Sequence, residues 1–366
     1  INLRSQLEKV WSSLGMTTGK WLTNSKKLLE EIPEHQRSKR LDLEDKEKLT
    51  VKTLGVCWNP ADDRFAITST VDAGVKITRR NFLSIVARVF DPLGLICPFV
   101  IRAKILTQEM CIEGSEWDEE VSPRLQLEVR QWLSECQKLE TIRISRCLIQ
   151  GSSDKCQLHC FVDASEKAFG AVIYLRERIE NNIRVTLVIA KSKVTPIKVV
   201  SMPRLELMAA LTGALLTKKV MNTLQINKER VYYWTDSQDV LFWINNHSKR
   251  LKSFVANRVS KIQELTAIIQ WRYIPSKVNT ADLLTRGIKM DESNSWERWF
   301  SGSPELLAPE ESWQLWRGNE RANRTLMAVG EEMVRLEVGE NQDRYEPEKV
   351  SSWSRLIKVR AWILRF

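Results

Sequence analysis

Four acidic side chains fall where an alternating strand and helix pattern changes element: Asp163, Glu206, Asp236 and Asp282. Asp163 closes the strand-like run KCQLHCFVDAS and Asp236 closes VYYWT. Glu206 lies about one turn into the helical stretch SMPRLELMAALTGALL, and Asp282 lies at the start of the helix that follows IIQWRYIP. In a sheet with adjacent parallel strands, strand ends and the helix starts after them share one edge, where α/β folds bind ligands. Carboxylates gathered there repel one another unless cations neutralise them. Hard divalent ions such as Mg2+ or Mn2+ take oxygen ligands, retain waters and bridge phosphates. Two such ions about 4 Å apart stabilise both the attacking and the leaving oxygen of a phosphodiester displacement. The four acids are therefore candidate catalytic residues and candidate ligands for two ions. Taken singly, Asp163 and Asp236 also read as turn formers, and Asp282 as a helix-start acid favoured by the macrodipole. Glu206 has the weakest such reading, because the residues behind it are apolar.

The elements that must position these acids follow from the pattern. KCQLHCFVDAS, AFGAVIYL and RVTLVIAKS read as three strands, the first two joined by a short turn and so antiparallel. Ser201 is an N-cap candidate, and Pro203 suits the first helical turn, where its missing N–H costs nothing. VYYWT is a fourth strand, a long helical stretch spans about 239–269, and IIQWRYIP is a fifth strand stopped by Pro275. Asn279 with Asp282 three residues on resembles a capping box, and Gly287 suits a C-cap. The order βββαβαβα makes an α/β domain of conventional size.

Upstream, residues 1–32 read as helical pieces and 35–49 as a charged, solvated loop. Two strand-like runs flank Asn59–Asp63, a hairpin signal in which Asp62 and Asp63 are turn formers rather than metal ligands. RRNFLSIVARVF, FVIRAKILTQEM and the stretch after Pro123 are helical, so the block from 80 to 140 is mostly helix. After 290 the chain is rich in Trp (296, 299, 313 and 316), then acidic and linker-like, and it closes on the basic amphipathic stretch WSRLIKVRAWILRF.

Composition narrows the function classes. The 366 residues are 43% hydrophobic and 28% charged, enough for packed cores and against wholesale disorder. A formal net charge of +10 suits a polyanionic partner. Lys191, Lys193, Lys198, Arg204, Lys249, Arg250, Lys252, Arg258, Arg272 and Lys277 are candidate phosphate contacts, although exposed Lys and Arg on helices are commonly just solvated. Seven Cys without a CxxC pair and only three His argue against a zinc site and fit a reducing compartment. Cys156, His159 and Cys160 lie in a strand in which 156, 158, 160 and 162 share one face, which reads as core. No apolar run reaches the length of a membrane-spanning helix, so no membrane partner is expected. The chain starts at Ile1 and stops within an apolar, basic segment, and reads as a piece of something longer.

CFVDASEKAFGAVIYL, SMPRLELMAALTGALL, YYWTDSQDVLFWI and WRYIPSKVNTADLLTRG resemble, in order, the four motif blocks of retroelement ribonuclease H domains, most closely those of BEL/Pao-type LTR retrotransposon Pol polyproteins. KWLTNSKKLLEEIP, TLGVCWNPADDRF and RRNFLSIVARVFDPLGLICPFVIRAKILTQEM resemble the end of the reverse transcriptase palm and the helical connection of the same elements. The resemblance implies four regions: a palm end with a primer-grip-like hairpin over 1–78, a connection over 79–150, a ribonuclease H-like domain over 151–290, and a linker with a basic helix over 291–366. It implies a mixed five-stranded sheet with flanking helices. It also implies two Mg2+ or Mn2+ ions held by Asp163, Glu206, Asp236 and Asp282, and hydrolysis of the RNA strand of RNA–DNA hybrids during reverse transcription. The expected partners are the hybrid and the polymerase and integrase parts of the polyprotein, in the cytoplasm and in virus-like particles. Family members often carry a His shortly before the last Asp; here the loop at 276–278 has none, with Arg272 and Lys277 as the nearby basic residues. The polymerase motif Tyr-x-Asp-Asp is absent, so polymerisation by this chain is not expected. A catalytically inactive, nucleic-acid-binding fragment of a decayed element is an alternative, and an integrase-like transferase is disfavoured by the missing His/Cys zinc motif. The family region has also been labelled a Pao-type peptidase. An aspartic protease needs Asp-Ser-Gly or Asp-Thr-Gly, whereas Asp236-Ser237 is followed by Gln238.

Overall fold

The computed structural model describes residues 2–38, 51–53, 56–67, 74–180 and 182–313. Most of the charged loop expected over 35–49, Trp316, and the acidic linker and basic helix expected after it lie outside the described residues.

The upstream part begins with α1 (Asn2–Ser13) and α2 (Lys26–Glu31). A four-stranded antiparallel sheet follows, with β1 (Val51–Thr53), β2 (Val56–Asn59), β3 (Arg64–Ala66) and β4 (Arg143–Ser145) in that spatial order. The β2–β3 connection is the hairpin read from the sequence. Asn59 Oδ1 accepts the Ala61 N–H at 2.9 Å, and Asp63 adopts φ +54°. The Asp63 carboxylate accepts from Trp58 Nε1 at 3.0 Å and Arg146 Nε at 2.6 Å, so it is spent on the turn. The sequence did not mark β4: three residues that pair only with a strand about 80 positions earlier give no local signal.

Between β3 and β4 run α3 (Arg79–Arg88), α4 (Cys97–Ile112) and α5 (Pro123–Cys136). Thr78 caps α3 by accepting the Asn81 N–H. The break after α3 is made by Asp91, whose carboxylate accepts the N–H groups of Leu95 at 2.8 Å and Ile96 at 2.9 Å. Gly94 takes φ +67° there, and a Cβ on it would stand 2.1 Å from the Ala190 carbonyl oxygen. That contact is what lets the loop dock on the large sheet, where the Ala190 N–H reaches Leu93 O at 2.9 Å. α4 is buried over most of its length, and Trp132 of α5 stacks on its Phe99 with ring centroids 4.9 Å apart.

The large sheet consists of β5 (Cys156–Ala164), β6 (Ala168–Ile179), β7 (Asn182–Val194), β8 (Val231–Thr235) and β9 (Trp271–Tyr273), in the order β7-β6-β5-β8-β9. The β5–β6 and β6–β7 pairs are antiparallel; β5–β8 and β8–β9 are parallel. This is the mixed five-stranded α/β sheet that the motifs imply. Its helices are α6 (Met202–Leu224), α7 (Gln238–Asn245), α8 (Ser253–Leu265), α9 (Asp282–Arg286) and α10 (Ser293–Ser301). The single helix expected over 239–269 is two. Asn246 is extended and its Nδ2 donates to Phe242 O at 2.7 Å, while Gln263 Nε2 takes Ile244 O and Asn246 O at 2.9 and 2.8 Å. The side chains therefore satisfy the carbonyls at the end of α7, and the chain turns so that both apolar faces reach one core.

Side-chain alternation splits the sheet into two faces. Cys156, Leu158, Cys160 and Val162 pack with α6, α7 and α8. Phe161, Val172, Tyr174 and Trp234 pack on the opposite side, in one buried cluster that continues through α3, α4 and α5 and takes in Trp296, Trp299 and Trp313. The upstream helices and the Trp-rich stretch up to residue 313 thus share a core with the sheet. His159 is fully buried, accepts from Trp234 Nε1 at 3.1 Å, and lies against the rings of Tyr232 and Trp313. It is core on the face opposite Cys156 and Cys160, the side on which strand alternation put it. Among the described residues no helix is long and apolar enough to cross a membrane.

The Gly94 contact is backbone against backbone, so it has little room to relax. Replacing Gly94 with Ala is expected to cost about 2–4 kcal/mol in denaturant unfolding. Gly19→Ala, where a Cβ meets nothing within 4 Å, should stay within about 0.5 kcal/mol. Equal effects would contradict the docking described here.

Candidate active site

The β5–β8 register builds the centre of the site. Leu158 lies beside Val231 and Phe161 beside Trp234. Continuing that offset by two residues sets Asp163, at the end of β5, beside Asp236, the first residue after β8. Both strands are parallel, so both acids arrive at the same edge. Asp163 is buried, with 7% of its surface exposed, while Glu206, Asp236 and Asp282 are half-buried.

Glu206 comes from α6. Ser201 is the N-cap position, though its side chain makes no cap bond, and Pro203 sits in the first turn. Leu205, Leu207, Ala209 and Ala210 anchor that turn in the core around the glutamate. The Ser237 Oγ accepts the Val240 N–H at 3.3 Å and so caps α7, and Ser237 also favours the charged form of the Glu206 carboxyl.

Asp282 comes from α9, and this short helix is brought in by packing. Gly170 lies opposite Asp163 in the β5–β6 pair, and a Cβ there would stand 2.6 Å from Leu284 Cδ1. Its bare backbone lets α9 close on the end of β5. Thr285, 1% exposed, then donates from Oγ1 to Asp163 Oδ2 at 2.5 Å. Asn279 is not the N-cap expected from sequence; Ala281 holds that position. Asn279 is fully buried and works as a bracket. Its Nδ2 donates to Val162 O at 3.1 Å and lies 3.4 Å from Asp236 Oδ1, while its Oδ1 accepts the Ala281 N–H at 3.1 Å. The C-terminal side of α9 is tied to the upstream helices. The Ile288 N–H reaches Pro98 O at 3.1 Å, and Arg102 donates to Ile288 O at 3.2 Å while pairing with Glu135 at 2.5 Å. Gly287, with φ +85°, ends α9 as expected.

The electrostatics show that the acids sense one another. Burial pushes the Asp163 carboxyl up to about 7; the Thr285 bond opposes the shift, and the charges of Asp236, Asp282 and Glu206 add to it. Glu206 is also pushed up to about 7, by burial first, opposed by Ser237 and reinforced by Asp236 and Asp239. Asp239, in the first turn of α7, is itself raised by burial. Arg286 Nε donates to Asp282 Oδ1 at 2.5 Å.

The donor set is all oxygen and anionic, which fits hard divalent cations. As they stand, however, no three or more His, Cys, Asp or Glu side chains among the described residues are arranged to hold a metal ion. Asp163 and Asp282 are instead each bonded to a neighbouring protein side chain. Sequence reasoning missed Ser237, Asn279 as a bracket, Thr285 and Arg286. The signal was there for two of them: Thr285 and Arg286 follow Asp282 by three and four positions, the spacings that share a helix face.

The candidate phosphate contacts occupy several elements. Lys191 and Lys193 are exposed on β7 and flank Ser192, which aligns through Gly170 with Asp163. Two strand spacings put that row about 10 Å from Asp163. Lys249 and Arg250 lie exposed on the turn between α7 and α8, with Lys252 just after it; Lys198 precedes α6, and Lys277 lies on the turn before α9. Arg204 and Arg258 lie over the Phe254 ring, at 5.0 and 3.5 Å from its centroid. Arg272 lies 5.5 Å from the Tyr232 ring centroid and donates to the carbonyls of Ile269 and Trp271, away from the carboxylate edge.

Residues 78–237 match the family described as the Pao retrotransposon-like RNaseH-like domain. The match fits the ribonuclease H region of BEL/Pao-type elements, and it takes in Asp163, Glu206 and Asp236 but ends before Asp282. Among solved structures the chain is similar to the N-terminal RNase H domain of Rv2228c from Mycobacterium tuberculosis, determined as a fusion with maltose-binding protein. The identity is 13%, the TM-score 0.24, and the similarity covers 39% of this chain and 95% of that one. No curated protein matches.

The raised carboxyls set a pH dependence for the metal-free protein. Asp163 and Glu206 keep protons in the folded chain at pH values where the unfolded chain, with ordinary values of 3.8 and 4.5, has lost them. Their stabilising contribution is full below those ordinary values and is lost as the pH rises through about 7. In EDTA the melting temperature should therefore be lower at about pH 8 than at about pH 5.5, and Asp163→Asn with Glu206→Gln should remove most of that drop. A drop of the same size in the double variant would contradict the assignment.

Proposed function

We propose that the large-sheet domain is a ribonuclease H-type endonuclease that hydrolyses the RNA strand of an RNA–DNA hybrid, leaving 3′-hydroxyl and 5′-phosphate ends. The observation that carries this reading is the β5–β8 register, which sets Asp163 beside Asp236 at the ends of parallel strands, within electrostatic reach of Glu206 and Asp282. The residues that would hold Mg2+ or Mn2+ are these four acids. The chemistry supplied by two such ions, when bound, is charge stabilisation at the attacking and leaving oxygens of the displacement.

The chain's own residues do the positioning. Asn279 holds Asp236 against the end of β5, Thr285 fixes the rotamer of Asp163, and the buried residues of the first turn of α6 hold Glu206. Lys191 and Lys193 on β7, with Lys249, Arg250 and Lys277 on the turns, would take backbone phosphates of a duplex without reading its sequence. The loop before Asp282 carries no histidine, and His159 is sealed in the core, where burial holds its pKa well below the ordinary value. Such a domain would act beside the polymerase and integrase parts of a retroelement Pol polyprotein, in the cytoplasm and in virus-like particles.

The test is cleavage of a labelled RNA–DNA hybrid by the full chain with Mg2+ or Mn2+, because α9 is braced by α4 and α5. The RNA strand of the hybrid should be cut and single-stranded RNA left intact, and Asp236→Asn or Glu206→Gln should lower the rate at least about 100-fold. Activity in EDTA, or undiminished activity in Asp236→Asn, would refute the two-ion reading. A silent wild-type chain that still binds hybrid would favour an inactive binding fragment.

A further inference from the structure

The acids of the cluster are bonded to partners of two kinds. Asp163 is bonded by Thr285, Asp236 lies by Asn279, and the side chain that favours the charged form of Glu206 is Ser237. These are neutral groups, and a carboxylate oxygen can keep such a hydrogen bond while another lone pair binds an ion. Asp282 differs: its partner is a full positive charge, Arg286, bonded across one turn of α9 at 2.5 Å. The Arg286 side chain is 73% exposed and that of Asp282 27%. The guanidinium can therefore swing into water, whereas Asp282 is fixed by a helix packed on the sheet. Arg286 is also held more firmly protonated, by Asp282 first and further by the charges of Asp163 and Asp236. It thus senses Asp163 and Asp236 as well as Asp282.

We propose that Arg286 is a displaceable counter-cation. It neutralises Asp282 in the metal-free protein, and a divalent ion entering the cluster must take Asp282 from it. This rests on the reading that the four acids hold divalent ions, and it accounts for acids that sense one another without converging on one point. A guanidinium and a hard cation compete for the same carboxylate oxygen, so the ion pair acts as a charge latch. It limits repulsion while the site is empty of ions, and it weakens ion binding by the strength of the pair.

Mn2+ binding to the full chain, followed through the electron paramagnetic resonance signal of free Mn2+, separates the possibilities. Arg286→Gln should bind Mn2+ roughly two- to five-fold more tightly than wild type, the range that an exposed ion pair is worth. Arg286→Lys, which keeps the charge, should stay close to wild type. Lys289→Gln, which removes an exposed cation three residues on, should also stay close. Unchanged or weaker binding in Arg286→Gln overturns the latch, as does equal tightening in Lys289→Gln or in Arg286→Lys. A wild-type chain with no Mn2+ binding at all would refute the metal reading beneath it, an outcome distinct from wild-type binding that Arg286→Gln leaves unchanged.

Discussion

Mutual repulsion among carboxylates held at one sheet edge is the constraint on which this structure depends. A sheet whose β5 and β8 run parallel in this register cannot separate Asp163 from Asp236, because the two acids end neighbouring strands. Burial is the larger part of the cost, and burial with neighbouring charge pushes Asp163 and Glu206 up to about 7. A fold carrying such a cluster must hold the acids by packing elsewhere. Here that packing is the apolar run of α6 behind Glu206 and the two buried clusters that sandwich the sheet.

The brace on α9 shows how far that packing extends. A helix of five residues has no stability of its own, yet it carries Asp282, Thr285 and Arg286. It is seated over Gly170 by Leu284, bracketed at its start by Asn279, and tied at its end to Pro98, Arg102 and Glu135 of α4 and α5. The upstream helices therefore serve the geometry of the carboxylate edge as well as a core of their own. The Trp-rich stretch ties the same face of the sheet to the loop before α4, where Trp299 Nε1 reaches Leu95 O at 2.8 Å and Tyr174 reaches Trp299 O at 2.7 Å.

Much of this was legible in the sequence because it is local. Strand alternation placed Cys156 and Cys160 on one face and His159 on the other, and turn chemistry placed Asp63 in a hairpin. The four acids stood out because each sits where a strand or helix must end or begin. What was not legible is non-local. β4 pairs across about 80 residues, the split between α7 and α8 is sealed by Gln263 from the following helix, and Asn279 is recruited by Val162 and Asp236 rather than by its own helix. Thr285 lay within reach through helical spacing, but only the fold shows that its hydroxyl faces Asp163.

The central claim is that these four carboxylates form one divalent-cation centre acting on a nucleic-acid backbone. Anomalous diffraction at the manganese edge, from crystals of the Asp236→Asn chain grown with an RNA–DNA hybrid and Mn2+, tests it most directly. The account predicts manganese bound to oxygens of Asp163, Glu206 or Asp282, beside a phosphate of the RNA strand. Hybrid bound at this edge with no manganese, and with Asp163 still on Thr285 and Asp282 still on Arg286, would contradict it.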